Sequence, residues 1–207
     1  MTLITRFVAT NKPLFTFHKA GEIFLHDRFL YRFLLRAIPE SVTPNVITSI
    51  RVVTTPIPFF LVLHGDYSLG AIVFLIVAFT DAIDGTLARI RSQVTRFGML
   101  YDPLADKFLI GSMVILLVFQ NFHYLLGVAI LGIEILFIIS ALVAKIKFNS
   151  IFSANKWGKI KMALQVLAIS LTLIALVFNT PHLLTFAFWS FGFAIGFALI
   201  SLFSNGI

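Results

Sequence analysis

The sequence predicts an all-α integral membrane protein: six transmembrane helices preceded by a cytoplasmic amphipathic helix lying in the membrane interface. Three observations lead there. Of 207 residues, 59% are hydrophobic and 12% charged, with a mean hydropathy of +0.99, whereas soluble domains run at roughly 25% charged. Apolar runs long enough to cross a hydrocarbon core of about 30 Å recur from Val46 to the C-terminus with little sequence between them. All 16 Lys and Arg fall within the first 51 residues, 89–107 or 145–161. A water-soluble globule and a disordered chain are both excluded. The absence of cysteine also excludes disulfides, thiolate nucleophiles and Cys-ligated metals.

Residues 1–43 read as a cytoplasmic N-terminal segment and 44–207 as the six-helix membrane domain. The first 20 residues carry Arg6, Lys12 and Lys19 and no acid. They form a short tail, with an organelle presequence as the alternative, and no cleavable secretory signal is expected. Over 22–38, Ile23, Leu30, Phe33, Leu34 and Ala37 share one helical face, opposite a stripe of Arg28, Arg32 and Arg36. Such a helix lies in the headgroup plane with its arginines on anionic lipid phosphates, or else packs on another protein domain. Pro39 ends it.

The six spans are expected at about 46–64, 69–90, 99–119, 125–145, 161–179 and 184–203. The links around Asp66, His123 and Pro181 contain no Lys or Arg, so the cationic segments are cytoplasmic and both termini face the cytoplasm. His64, His123 and His182 fall on the outer links as interfacial polar residues.

Chemistry concentrates at one cytoplasmic turn. There are nine acids in the chain, yet Asp81, Asp84, Asp102 and Asp106 crowd into 26 positions. Asp81 and Asp84 are spaced i, i+3 near the end of the second span, and Asp102 and Asp106 i, i+4 near the start of the third. Each pair therefore shares a helix face, and two antiparallel neighbours can present four carboxylates to one point. At this depth four ionised carboxylates must be neutralised by protons or cations. Hard oxygen donors without His or Cys point to Mg²⁺ or a relative, two ions being suited to a phosphoryl displacement, with Mn²⁺ as a substitute. The alternative is a set of carboxylates paired only with Arg89, Arg91, Arg96 and Lys107.

The surrounding residues form a pattern: Asp81, Asp84, Gly85, Ala88 and Arg89, eight residues, then Gly98, Asp102 and Asp106. This resembles the signature of the CDP-alcohol phosphotransferase family, DxxDGxxAR followed by GxxxDxxxD, with every specified position filled. Pro44, Asn45, Thr48 and Arg51 resemble the family's start of the first span, so the resemblance covers 44 to about 203. It implies transfer of a phosphatidyl group from CDP-diacylglycerol to a hydroxyl acceptor, releasing CMP, in a bacterial-type cell inner membrane. It also implies a homodimer. By resemblance Asp81, Asp84, Asp102 and Asp106 hold metal, and Asp106 is the general base on the acceptor hydroxyl. Gly85, Ala88 and Gly98 let the nucleotide approach, and Arg89 offers a planar fork to a phosphate or holds a carboxylate. Asn45 and Thr48 are candidate cytidine or phosphate contacts, or helix caps. No nucleic-acid partner is expected.

For the acceptor, Gly158, Lys159, Lys161, Met162 and Gln165 resemble the GKxKTxxQ segment of phosphatidylglycerophosphate synthases, with Met162 in place of Thr. That favours sn-glycerol 3-phosphate, with Lys159 and Lys161 on its phosphate. Glycerol-phosphate-using members often carry an Arg-Glu pair where this chain has Ile133 and Glu134, so inositol phosphate, inositol and phosphatidylglycerol stay open. Gly192 and Gly196 form a GxxxG pattern, read first as intramolecular helix packing. Two other classes compete. A divalent-cation carrier would place acids near the bilayer midplane in repeated halves, and a non-catalytic scaffold would share the family fold.

Overall fold

In this computed structural model the described residues are 17–18, 31–32, 39, 42–148 and 156–204, with side chains at 17–18, 82, 96–97, 99–100, 103, 141–148 and 204 left aside. The helix expected over 22–38 lies outside them, apart from Tyr31 and Arg32, which are helical and exposed. The elements are β1 (Phe17–His18), α1 (Pro44–Thr54), α2 (Pro56–Leu63), α3 (Tyr67–Ile90), β2 (Val94–Thr95), α4 (Arg96–Asn121), α5 (Tyr124–Phe148), α6 (Lys156–Phe178) and α7 (Pro181–Ser204).

The first span is two helices. Pro56 and Pro58 have no N–H to give to Val52 and Thr54, so the helical ladder breaks there. Just before the break, the Thr54 and Thr55 hydroxyls donate back to the carbonyls of Ile50 at 2.9 Å and Arg51 at 2.8 Å. Together α1 and α2 make an apolar segment, Pro44–Leu63, of 20 residues. Among the described residues five helical segments are long and apolar enough to span a membrane: this one, Tyr67–Ile90, Leu104–Asn121, Lys156–Phe178 and Pro181–Phe203. Helix α5 carries a shorter apolar stretch, Tyr124–Ser140.

The chain divides into two compact units, 1–57 with 73–109 and 58–72 with 110–207. In the first, β1 pairs antiparallel with β2, Phe17 opposite Thr95 and His18 opposite Val94. The tail expected over residues 1–20 therefore includes a strand at Phe17–His18. In the second, α6 packs along α7 and α5 meets α7, and Ile169, Leu173 and Phe191 are fully buried. Gly70 and Gly127 leave no room for a Cβ, which would come within 2.5 Å of Val62 and 2.7 Å of Phe119. Gly192 and Gly196, by contrast, have nothing within 4 Å of an added Cβ. The GxxxG face therefore lies open among the described residues, and the intramolecular packing first expected of it is not seen. Large apolar side chains such as Val53, Phe108, Phe178 and Phe203 are 70–75% exposed, as on helices whose outer faces meet lipid.

Candidate active site

Helix α3 delivers Asp81, Asp84, Gly85, Ala88 and Arg89 on neighbouring turns and then stops on a left-handed residue. Ser92 has φ 52°, its N–H bonds to the Arg89 carbonyl at 3.3 Å, and Gln93 N–H bonds to Ala88 at 2.9 Å. That pair of bonds is a Schellman stop. The chain emerges extended through β2, and Thr95 starts α4: its hydroxyl accepts from the Gly98 N–H at 3.1 Å, an N-cap, while donating to Asn45 Oδ1 at 2.6 Å. One threonine thus ties α1 to the head of α4. Asn45 and Thr48 are not themselves caps, since the residue before α1 is Thr43 and makes no side-chain cap bond.

Arg51 was given no role from sequence and turns out to be central. Its guanidinium is 2% exposed and bridges both carboxylate helices, with Nη1 paired to Asp81 and Nη2 2.9 Å from Asp102 and 3.7 Å from Asp84. A cation meeting three of the acids therefore comes from α1, outside the set of Arg89, Arg91, Arg96 and Lys107 considered as partners. Arg91 donates to the backbone carbonyls of Pro39 and Val42 at 3.3 and 2.9 Å. The signal that would have found Arg51 is its position inside an apolar run, where an ionisable side chain is functional by default.

Burial grades the acids. Asp84 is 2% exposed, Asp102 32% and Asp81 46%, while Asp106, one turn further along α4, is half-buried. Thr48 donates to Asp84 Oδ2 at 3.1 Å, but Asp84 Oδ1 is buried with no partner. A buried, unpaired carboxylate oxygen beside further carboxylates fits a hard cation. Among the described residues no three acids form a ready-made metal cage; Asp81, Asp84 and Asp102 instead surround the Arg51 guanidinium.

Beside this cluster opens a cavity of about 290 Å³. All six residues predicted to contact CDP or phosphate line it: Asn45, Thr48, Gly85, Ala88, Arg89 and Gly98, joined by Asp84 and Asp102. Pro44 and three residues that were missed, Gln93, Val94 and Thr95, complete the wall; the three are spacer positions in the motif. The Gln93 Oε1 on this wall is also buried without a partner.

A family model for CDP-alcohol phosphatidyltransferases matches residues 41–200. The chain belongs to that family. Its members are phospholipid-synthesis transferases that move a phosphatidyl group from a CDP-alcohol, and the chain is such an enzyme by family. It is 35% identical over 133 residues to the Haemophilus influenzae protein named CDP-diacylglycerol--glycerol-3-phosphate 3-phosphatidyltransferase, covering 61% of this chain and 72% of that one. A Bacillus subtilis protein of the same name is 34% identical over 168 residues, 73% of this chain and 82% of its own. A Drosophila melanogaster protein named "Probable cardiolipin synthase (CMP-forming)" is 37% identical over 90 residues, 42% of this chain and 28% of that one.

The two lysines proposed for the acceptor both sit on α6, which starts five residues earlier than the predicted span. Lys159 is exposed. Lys161 is 8% exposed, donates to Glu134 Oε1 at 2.6 Å and lies 4.8 Å from the centre of the Phe137 ring. Gln165 donates to the same oxygen at 3.1 Å. Glu134 thereby acquires a structural setting in this phosphatidyltransferase: a counter-ion between α5 and α6. Glu134→Gln leaves the Lys161 ammonium without a neutralising charge. We expect a loss of about 2 kcal/mol, less than the ~3–5 of a fully buried pair, read as a lower unfolding temperature in detergent. Glu134→Leu combined with Lys161→Met should recover most of it.

Proposed function

We propose that this phosphatidyltransferase moves the phosphatidyl group of CDP-diacylglycerol to the free primary hydroxyl of sn-glycerol 3-phosphate, releasing CMP. The observation that carries the donor half is the convergence of all six predicted contacts and two carboxylates on one cavity wall. Asn45, Thr48, Gly85, Ala88 and Gly98 take the nucleotide and Arg89 a phosphate. Asp81, Asp84, Asp102 and Asp106 hold Mg²⁺, two ions in the family pattern, with Mn²⁺ as a substitute. Supporting this is the unpaired Asp84 Oδ1. When bound, the metal makes the diphosphate a better electrophile and CMP a better leaving group. Asp106 takes the proton of the acceptor hydroxyl as its oxygen bonds to the phosphatidyl phosphorus and the bond to the CMP oxygen breaks.

The acceptor reading is supported by the names of the Haemophilus and Bacillus relatives. Lys159 and Lys161 are its phosphate ligands, and for Lys161 that role requires exchanging Glu134 for the phosphate. Inositol phosphate, inositol and phosphatidylglycerol are the other acceptors to try. The remaining features belong to the same reading: six spans with α5 as the fourth, both termini cytoplasmic in a bacterial-type inner membrane, and an N-terminal helix on anionic headgroups. We also read the protein as a homodimer, for which the open face at Gly192 and Gly196 offers close helix contact.

The test is product analysis with CDP-diacylglycerol, Mg²⁺ and each acceptor in turn. Glycerol 3-phosphate should give a phosphorylated lipid and CMP. Lys159→Ala and Lys161→Ala should raise the acceptor KM about tenfold or more with little effect on that of the donor. Product formed only with an unphosphorylated alcohol would overturn both the acceptor and the role of the lysines.

A further inference from the structure

Arg51 poses a problem of charge. Three carboxylates face one guanidinium, which leaves two negative charges uncompensated when all are ionised. Asp106, the fourth acid of the metal reading, adds another, so one divalent cation still leaves one negative charge, and a second overcharges the site by one unless an anion arrives or the guanidinium leaves. Arg51 also spends its fork unusually, giving one nitrogen to Asp81 on α3 and the other to Asp102 on α4 instead of both to one carboxylate. Its Nε is buried and unpaired, as is Oδ1 of Asp84. Both residues are 2% exposed, so neither atom is satisfied by solvent. The cluster is thus held together while two of its buried polar atoms lack partners, an arrangement that a better-fitting set of charges would replace.

From this we propose that Arg51 is a resident counter-ion. It neutralises Asp81 and Asp102 before metal enters, competes with divalent cations for those oxygens, and is released onto a donor phosphate when they load. Arg51 lies one turn beyond Thr48 on α1, and Thr48 lines the cavity wall. A guanidinium freed from the acids stays within reach of that wall and presents donors suited to a phosphate. Arg51 then couples the two occupants of the site: the metal binds poorly until a phosphate is there to receive the displaced charge. The inference rests on the metal reading above and adds an order to it.

The test is Mn²⁺ binding to the purified full-length protein, followed by the loss of the free-ion spin-resonance signal, with and without CDP. Arg51→Met should bind Mn²⁺ alone about tenfold more tightly than the wild type, because a nearby positive charge has been removed. Arg51→Lys keeps a charge but cannot bridge both carboxylates, so it should fall between the two. CDP should tighten Mn²⁺ binding in the wild type and much less in Arg51→Met. Mn²⁺ affinity unchanged or weakened in both variants, with their unfolding still cooperative, would overturn the counter-ion role. Should Arg51→Met not fold, Arg51→Lys carries the comparison alone. A wild type that binds no Mn²⁺ even with CDP would overturn the metal reading itself.

Discussion

Asp84→Asn is expected to lower turnover by about three orders of magnitude or more, the scale on which losing a metal-ligating or proton-accepting group acts. The substitution keeps the size of the side chain and removes its charge where least can compensate. Asp84 is buried, Thr48 occupies one oxygen, and the other has no partner. No water-exposed rearrangement can bring in a substitute ligand there. Asp81→Asn, Asp102→Asn and Asp106→Asn should be comparably damaging, although Asp81 is far more exposed. CMP release from CDP-diacylglycerol, at saturating Mg²⁺ and acceptor, gives the readout. Near-normal turnover in Asp84→Asn would remove it from the site, and in Asp106→Asn would remove the assigned base.

Gly98→Val should cost about a hundredfold in kcat/KM for the donor, close to 3 kcal/mol. A Cβ at this position would lie 3.4 Å from Asp102 Oδ2, 3.5 Å from Thr95 Oγ1 and 3.9 Å from Asn45 Oδ1. These are ordinary contacts, so Gly98→Ala is expected to stay within about fivefold of the wild type. The further methyls of valine have only the cavity to enter, a space of about 290 Å³ that the nucleotide must share. Thr95 still caps α4 through the Gly98 backbone N–H, so the fold should be kept and the loss confined to donor binding. An unchanged donor KM in Gly98→Val would mean that the nucleotide lies elsewhere.

Of the elements that build this site, those legible in the sequence were local. The apolar runs depend on length and composition, and the signature places Asp84, Gly85, Ala88 and Arg89 within two helical turns, where a 3.6-residue period suffices to predict a shared surface. Even the first span was legible as a segment, with only its interruption at Pro56 unread.

What the tertiary structure decided were pairings between distant residues. Arg51 meets acids 30 and 51 positions away, Thr95 reaches Asn45, and Lys161 is claimed by Glu134 across two helices. No spacing rule contains these, because they depend on how helices rotate and settle against one another. The amino-acid sequence by itself determined that this chain is a membrane phosphatidyltransferase with four acids at one turn. Only packing decided which cation Asp81, Asp84 and Asp102 share, since in a low-dielectric interior a charge is satisfied by whichever opposite charge the fold brings within a few ångströms.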